Sequence, residues 1–271
     1  MILGGMLKLK RIKGITHGSH IDTVYPDPLW VVSWLMRKLN EENPEYRTVK
    51  AELRQGRLFP RTKTVDVRIY DLPFGDDVLM RTVVMEDPEP RLVTAFPVLM
   101  AETSSQFRVE RVFEWANGLE GNIAGEVLGE VKPSVSFFAV DYVERKADYL
   151  RVETDEVRLA FLAYGARAGP PGDNFEVELP DAGPIKVNLE EAELLLPVPL
   201  SGAFMDDYMI TGKVLGVRSS RTLYGDGYLI RLKNLPLREI DLFVLREHLK
   251  GEVKEEEMLT AVGWLQGELL L

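Results

Sequence analysis

The C-terminal stretch, Tyr208 to Leu271, restricts the fold of this chain more than any other feature. Short apolar–polar alternations follow one another there, broken by glycines and closed by turn residues. Met209, Thr211, Lys213/Val214 and Val217 alternate along a first run that holds Gly212 and Gly216. Further runs follow at Tyr228–Leu232, Ile240–Leu245 and Met258–Leu265. Between them lie Gly225-Asp226-Gly227, Asn234-Leu235-Pro236 and Lys250-Gly251, all turn chemistry. Period-two runs at this spacing predict a small β-barrel or sandwich. The two glycines of the first run predict a bent or bulged strand that coils around it.

The run GKVLGV, two further strands, a charged piece from Arg246 to Glu257 and a returning LTAVGWLQGEL together resemble the oligonucleotide/oligosaccharide-binding (OB) fold, a five-stranded Greek-key barrel. The resemblance implies a binding role toward single-stranded nucleic acid, sugar or protein, without choosing among them. For nucleic acid it points to the turn between the first two strands. Arg218, Arg221, Tyr224 and Tyr228, supported by Lys213 and Arg231, there offer phosphate contacts and stacking rings.

The middle stretch, 121–169, echoes the C-terminal one. GEVLGEV at 125–131 shares G-x-V-L-G with GKVLGVR at 212–218; SVSFFAVDY and YGDGYLIRL follow, and RLAFLAYGARAG parallels LTAVGWLQGEL. The echo raises a divergent barrel repeat as one reading and chance similarity as the other. SFFAVDY, DYL, RLAFLAYG and GWLQG also resemble a group of bacterial proteins to which no activity is attached. The domain scheme is then a mixed α/β unit over 1–120, a β-rich unit over 121–170, an acidic Pro/Gly-rich connection over 171–205 and the OB-like barrel over 206–271. In that connection Pro197 and Pro199 oppose regular pairing inside a sheet. The fold class expected is mainly β with a minor α component (α+β).

One helix announces itself. Asp27-Pro28 is an N-cap followed by a first-turn proline, and Leu29, Val32, Leu35, Met36 and Leu39 form a stripe predicted to face the core, with Trp30 and Trp34 beside it. A partner-docking tryptophan face is the alternative. Leu7, Leu9, Ile12 and Ile15 suggest a short opening strand before it, and Val78–Met85, Leu92–Met100 and Phe107–Trp115 read as strands after it.

The net charge of −10 is unevenly placed. Residues 1–69 carry 13 Lys/Arg against 7 Asp/Glu, and the rest carry 20 against 36. An acidic body repels phosphate backbones. The basic segment 1–69 is therefore read as docking on the acidic part, and within it the strip Arg47, Lys50, Arg54, Arg57, Arg61, Lys63 and Arg68, with Phe59 and Tyr70, is read as the solvated face of a half-exposed strand, with phosphate contact and base stacking as the alternative. With no cysteine, disulfides and thiolate chemistry are absent, which suits the cytoplasm. Three glutamines against abundant Glu and Arg fit a thermophile or a GC-rich genome. No apolar run is long enough for a membrane helix, so no membrane role is expected.

Catalytic signatures are missing: G-x-x-x-x-G-K-[ST], G-x-G-x-x-G, H-E-x-x-H and G-x-S-x-G do not occur. Two of the three histidines stand together in His17-Gly-Ser-His20-Ile-Asp22, a His-x-x-His-x-Asp spacing that offers imidazole and carboxylate to a divalent metal; a polar turn is the plainer reading. The pairs Asp76/Asp77 and Asp206/Asp207 read as loop solubilisers. The expectation is a non-catalytic binding or interaction protein with no cofactor, partnered by protein or by its own copies. The alternatives are a single-stranded nucleic-acid binder and a metal-dependent hydrolase on His17, His20 and Asp22.

Overall fold

The computed structural model describes residues 8–12, 14, 16–55, 61–170, 175–179, 183–187, 192–198 and 205–270. Leu7, Ile15, Arg57 and Phe59, named above, lie outside them, as do the side chain of Arg54 and part of the Pro/Gly connection.

In chain order the strands are β1 (Leu9–Arg11), β2 (Arg47–Gln55), β3 (Arg61–Pro73), β4 (Val78–Glu86), β5 (Pro90–Leu99), β6 (Ser105–Glu114), β7 (Gly121–Val127), β8 (Ser134–Ala139) and β9 (Thr154–Ala168). They continue as β10 (Phe175–Leu179), β11 (Gly183–Val187), β12 (Leu195–Pro197), β13 (Asp207–Arg221), β14 (Asp226–Asn234), β15 (Arg238–Leu245), β16 (Leu249–Lys250) and β17 (Met258–Leu269). Among the described residues two α-helices, α1 (Pro28–Arg37) and α2 (Tyr142–Arg151), complete a mainly β protein with a minor α component. None is long and apolar enough to cross a membrane.

Strands β2 to β5 form an antiparallel meander, and β10 pairs with β11 in a hairpin. The remaining strands make one large sheet that closes on itself twice. One cycle of paired strands runs β6-β7-β8-β17-β9 and back to β6; the other runs β13-β14-β15-β9-β17 and back to β13. Both contain the antiparallel β9–β17 ladder, paired from Val157↔Leu269 to Ala168↔Leu259. Each half supplies a three-strand meander and a fourth strand, and that fourth strand also closes the other half's ring. Thus β8 runs parallel to β17, and β15 runs parallel to β9. Hydrogen-bonded ladders therefore link residues 105–168 directly to residues 207–269.

The duplication is topological, and it does not follow the G-x-V-L-G match. Residues 125–127 end β7, a second strand, whereas 212–218 lie in β13, a first strand. The pair that does correspond is RLAFLAYGARAG in β9 and LTAVGWLQGEL in β17.

Alternation along the two shared strands sorts the cores. Leu159, Phe161 and Ala163 of β9, with Leu259, Ala261 and Leu265 of β17, join the barrel-interior cluster with Ile230, Leu242 and Phe137. Their neighbours Ala160, Leu162 and Trp264 face outward, into a second core with Phe74, Met80, Phe96 and Leu99 from the four-stranded sheet and Val31, Trp34 and Leu35 from α1. Burying such rings contributes about 2–3 kcal/mol each. Strands buried on both faces read as nearly continuous apolar runs, which is the composition of RLAFLAYG. The side chain of Gln266 in β17 bolts the layers together. Its Oε1 accepts from Leu99 N (2.9 Å) and its Nε2 donates to Pro97 O (3.3 Å).

One expectation is corrected here. The buried face of α1 is Val31, Trp34 and Leu35, while Leu29, Val32 and Met36 of the expected core stripe are exposed. The piece 246–257 holds a single 3-10 turn, Arg246–His248, before β16. The bend of the first C-terminal strand is present: the β13–β14 register shifts between Val214 and Gly216. A methyl group at Gly212 would sit 2.4 Å from Lys233 O, so only glycine allows that close approach.

Candidate functional site

The two N-terminal histidines and the Asp206/Asp207 pair, far apart in the chain, meet in one buried polar network over the outer face of β9 and β17. His17 and His20 lie on the segment that enters the 3-10 turn Ile21–Thr23. His20 takes a left-handed conformation (φ 44°), and its carbonyl accepts from Thr23 N and Oγ1. Their rings lie 4.9 Å apart, with His20 stacked on Trp264 (4.5 Å, 13°) and His17 against Phe138 (4.6 Å).

Asp206 is completely buried. Its carboxylate accepts from Trp264 Nε1 (2.9 Å) and Asn122 Nδ2 (2.8 Å), and His17 Nε2 approaches within 2.9 Å. Three donors on one buried carboxylate satisfy the rule that a charge removed from water must be hydrogen-bonded. Glu120, also fully buried, accepts from His17 N, Thr94 Oγ1 and Asn117 Nδ2. On the other side Tyr164 donates to Asp207 Oδ1 (2.7 Å) and lies 2.5 Å from His20 Nδ1. A phenol has one proton. With it on Asp207, His20 must carry a proton on Nδ1 and donate to the tyrosine oxygen. Burial, reinforced by His17, pulls His20 down to about 3 against the opposing pull of Asp206. Burial and then Asp207 push the Tyr164 phenol upward. At neutral pH His20 is therefore a neutral imidazole.

Every polar member of the network ties one segment to another, and its centre is buried, with His17 1% exposed and Trp264 0%, while Tyr164 at its edge is half-buried. Of the proposed metal trio, the structure brings His17 and His20 together, but with Asp206 between the sheets; Asp22 is exposed. Among the described residues no group of three or more His, Asp or Glu is arranged to hold a metal ion. Reading the sequence missed Asn122, Glu120, Tyr164 and Trp264 as members, and took Asp206 for a loop residue. No local spacing signals them, because the ladders that assemble them span most of the chain.

The nucleic-acid candidates divide. Arg218 and Tyr228 line an open cleft of about 530 Å³ at the mouth of the C-terminal barrel, with Arg246, Leu249, Glu252 and Val253. Arg218 also borders a neighbouring cleft of about 340 Å³ with Arg231, Glu102, Asp241 and Glu255. Their charges are largely occupied. Arg218 grips Asp77 through both terminal nitrogens, Arg231 bonds Asp241 and Glu102, and Lys213 pairs with Glu256. Arg221 is tied to Asp76 through its backbone, its N–H donating to Oδ2 (3.0 Å). Tyr224 lies outside both clefts, donating to Glu247 Oε2 (2.9 Å). The basic strip behaves alike: Arg47 pairs with Asp71 and Glu144, Lys63 with Asp87 and Arg68 with Glu86.

A third feature is apolar. The outer face of α1 exposes Leu29 (78%), Val32 (38%) and Met36 (44%). Trp30 stacks flat on Tyr25 (4.5 Å, 4°), and Tyr25 meets Tyr224 edge-on (5.1 Å) beside exposed Leu223. Trp30 of the helix and Tyr224 of the β13–β14 turn are thus joined through the Tyr25 ring. Comparison with protein families, curated proteins and solved structures finds no match to this chain.

Proposed function

We propose that the chain is a non-catalytic binding protein, acting through protein contact, with two interlocked OB-like barrels as its rigid frame. The observation that carries this is the row of exposed apolar side chains Leu29, Val32 and Met36 on one face of α1, with Trp30 and Tyr224 exposed around Tyr25. Exposed apolar side chains gathered on one helix face mark interaction sites. Supporting the OB-like frame, each half has a three-strand meander, a helical piece (α2 or the 3-10 turn 246–248), and a third strand parallel to the one that closes its ring. The buried histidine network has the character of a structural lock: its donors and acceptors are used to join segments. The cysteine-free composition fits a cytoplasmic setting.

A second reading, single-stranded nucleic acid held at the barrel mouth, is favoured by one observation: Arg218, Arg246 and Tyr228 share an open cleft. Titrating a labelled single-stranded oligonucleotide at low and at physiological salt, read by fluorescence anisotropy, separates the two. Protein contact predicts no saturable binding. Salt-sensitive binding lost in Arg218→Ala/Arg246→Ala would put the second reading in its place.

A further inference from the structure

Strand β2 ends the four-stranded sheet, and we infer that its open edge pairs with β2 of a second copy, antiparallel and centred on Ala51. The sheet order is β2-β3-β4-β5, so the edge of Arg47–Gln55 turned away from β3 carries no strand among the described residues. The β3–β4 ladder ends at Asp66↔Glu86, whereas β2 and β3 stay paired as far as Gln55↔Arg61. From Ala51↔Val65 onward the ladder therefore projects as a two-stranded ribbon. Such a ribbon is marginal by itself, and a row of open N–H and C=O groups is a template for a further strand.

The side chains select the occupant. Val49, Ala51 and Leu53 lie on the inner face, packed with Val65, Val67 and Leu119. Lys50 and Glu52 are exposed on the other face, and neither forms an ion pair with another described residue. Arg47 is already held by Asp71 and Glu144. The two unspent charges thus have opposite signs and stand one on each side of Ala51. A two-fold axis through Ala51, perpendicular to the sheet, keeps each face on its own side. It lays Lys50 of each copy directly opposite Glu52 of the other. The same operation sets Val49 opposite Leu53, twice, and brings all nine residues of the strand into the ladder. Shifted by two residues either way, Lys50 would meet Lys50 or Glu52 would meet Glu52. The strand is its own complement in the centred register, where a run of one sign would repel its copy. No residue of the α1 face takes part, so this inference stands independently of the contact reading above.

Sedimentation velocity on the full chain, from low micromolar to near-millimolar concentration, reads the pairing. The native chain should shift from the mass of one chain to that of two. Lys50→Glu sets acid against acid on both sides of the axis, and Glu52→Lys sets cation against cation. Each should weaken self-association at least about 10-fold. An equimolar mixture of the two variants restores both attractive pairs, and the two-chain species should return. Lys50→Glu also faces Asp66 across the β2–β3 ladder. The mixture controls for that, since a chain damaged in its own fold is not repaired by the other variant. A monomer at every concentration overturns the inference, and so does a dimer indifferent to either variant. A mixture that associates no better than its components overturns it as well.

Discussion

His17 and Asp206, 189 positions apart, meet through Nε2 and Oδ2 at 2.9 Å with neither side chain exposed to solvent. The contact fastens the N-terminal segment to the start of β13, and Asp206 reaches on to β7 and β17 through Asn122 and Trp264. Asp206→Ala would leave three buried donors without that acceptor. A loss of about 3–5 kcal/mol is expected, since each buried donor left unsatisfied costs about 1–3 kcal/mol. Urea unfolding measures it, and a change below about 0.5 kcal/mol, the range of ordinary surface substitutions, would remove Asp206 from its structural role.

His20 makes the fold sensitive to acid. Its ring is held down at about 3 by burial, reinforced by His17, whereas an unfolded histidine titrates near 6.5. The depressed value means the stability it contributes is present above pH 6.5 and is lost as pH falls toward 3. Melting temperatures should fall over that window more steeply for the native chain than for His20→Gln. Parallel profiles would contradict the assignment.

Asp141 acts with the opposite sign. Burial pushes its carboxyl up to about 7, against the opposing hydrogen bonds from Tyr149 OH (2.6 Å) and Leu269 N (3.0 Å). The folded state prefers the proton, so this group's favourable contribution is complete below pH 3.8 and is withdrawn as pH rises through about 7. Relative to the native chain, Asp141→Asn should gain stability between pH 4 and 7. A constant difference across that range would show that Asp141 does not titrate there.

Glycine position matters more than glycine number along β13. Gly212→Ala pushes a methyl against Lys233 O, while at Gly216 nothing lies within 4 Å. The first substitution should cost about 1–3 kcal/mol, the second less than about 0.5 kcal/mol. Equal effects on the denaturation midpoint would show that the bend is not held by that close approach.

Much of the local structure is legible in the residues. Strands β13 to β15 and β17 follow from alternation and turn chemistry, and α1 from Asp27-Pro28. Its orientation is not, because Leu29/Val32/Met36 and Val31/Trp34/Leu35 are both apolar stripes; packing against Phe74 and its neighbours selects the second. Helix α2 is hidden by its charges, since only Tyr142 and Tyr149 are buried. The exchange of closing strands between the rings is invisible locally, as β9 and β17 are apolar on both faces. His17 and His20 stand out by type and spacing, yet their partners Asp206 and Tyr164 come from strands that only the closed sheet brings near.

The central claim, that the α1 face works by contact, is tested most directly by hydroxyl-radical footprinting. The side chains to follow are Met36, Trp30 and Tyr224, with exposed Met100 and Met205 as references. Labelling is compared between dilute purified protein and the protein in an extract of its own cells. The account predicts protection of Met36, Trp30 and Tyr224 in the extract with Met100 and Met205 unchanged. Equal labelling of all five side chains in both settings would contradict it.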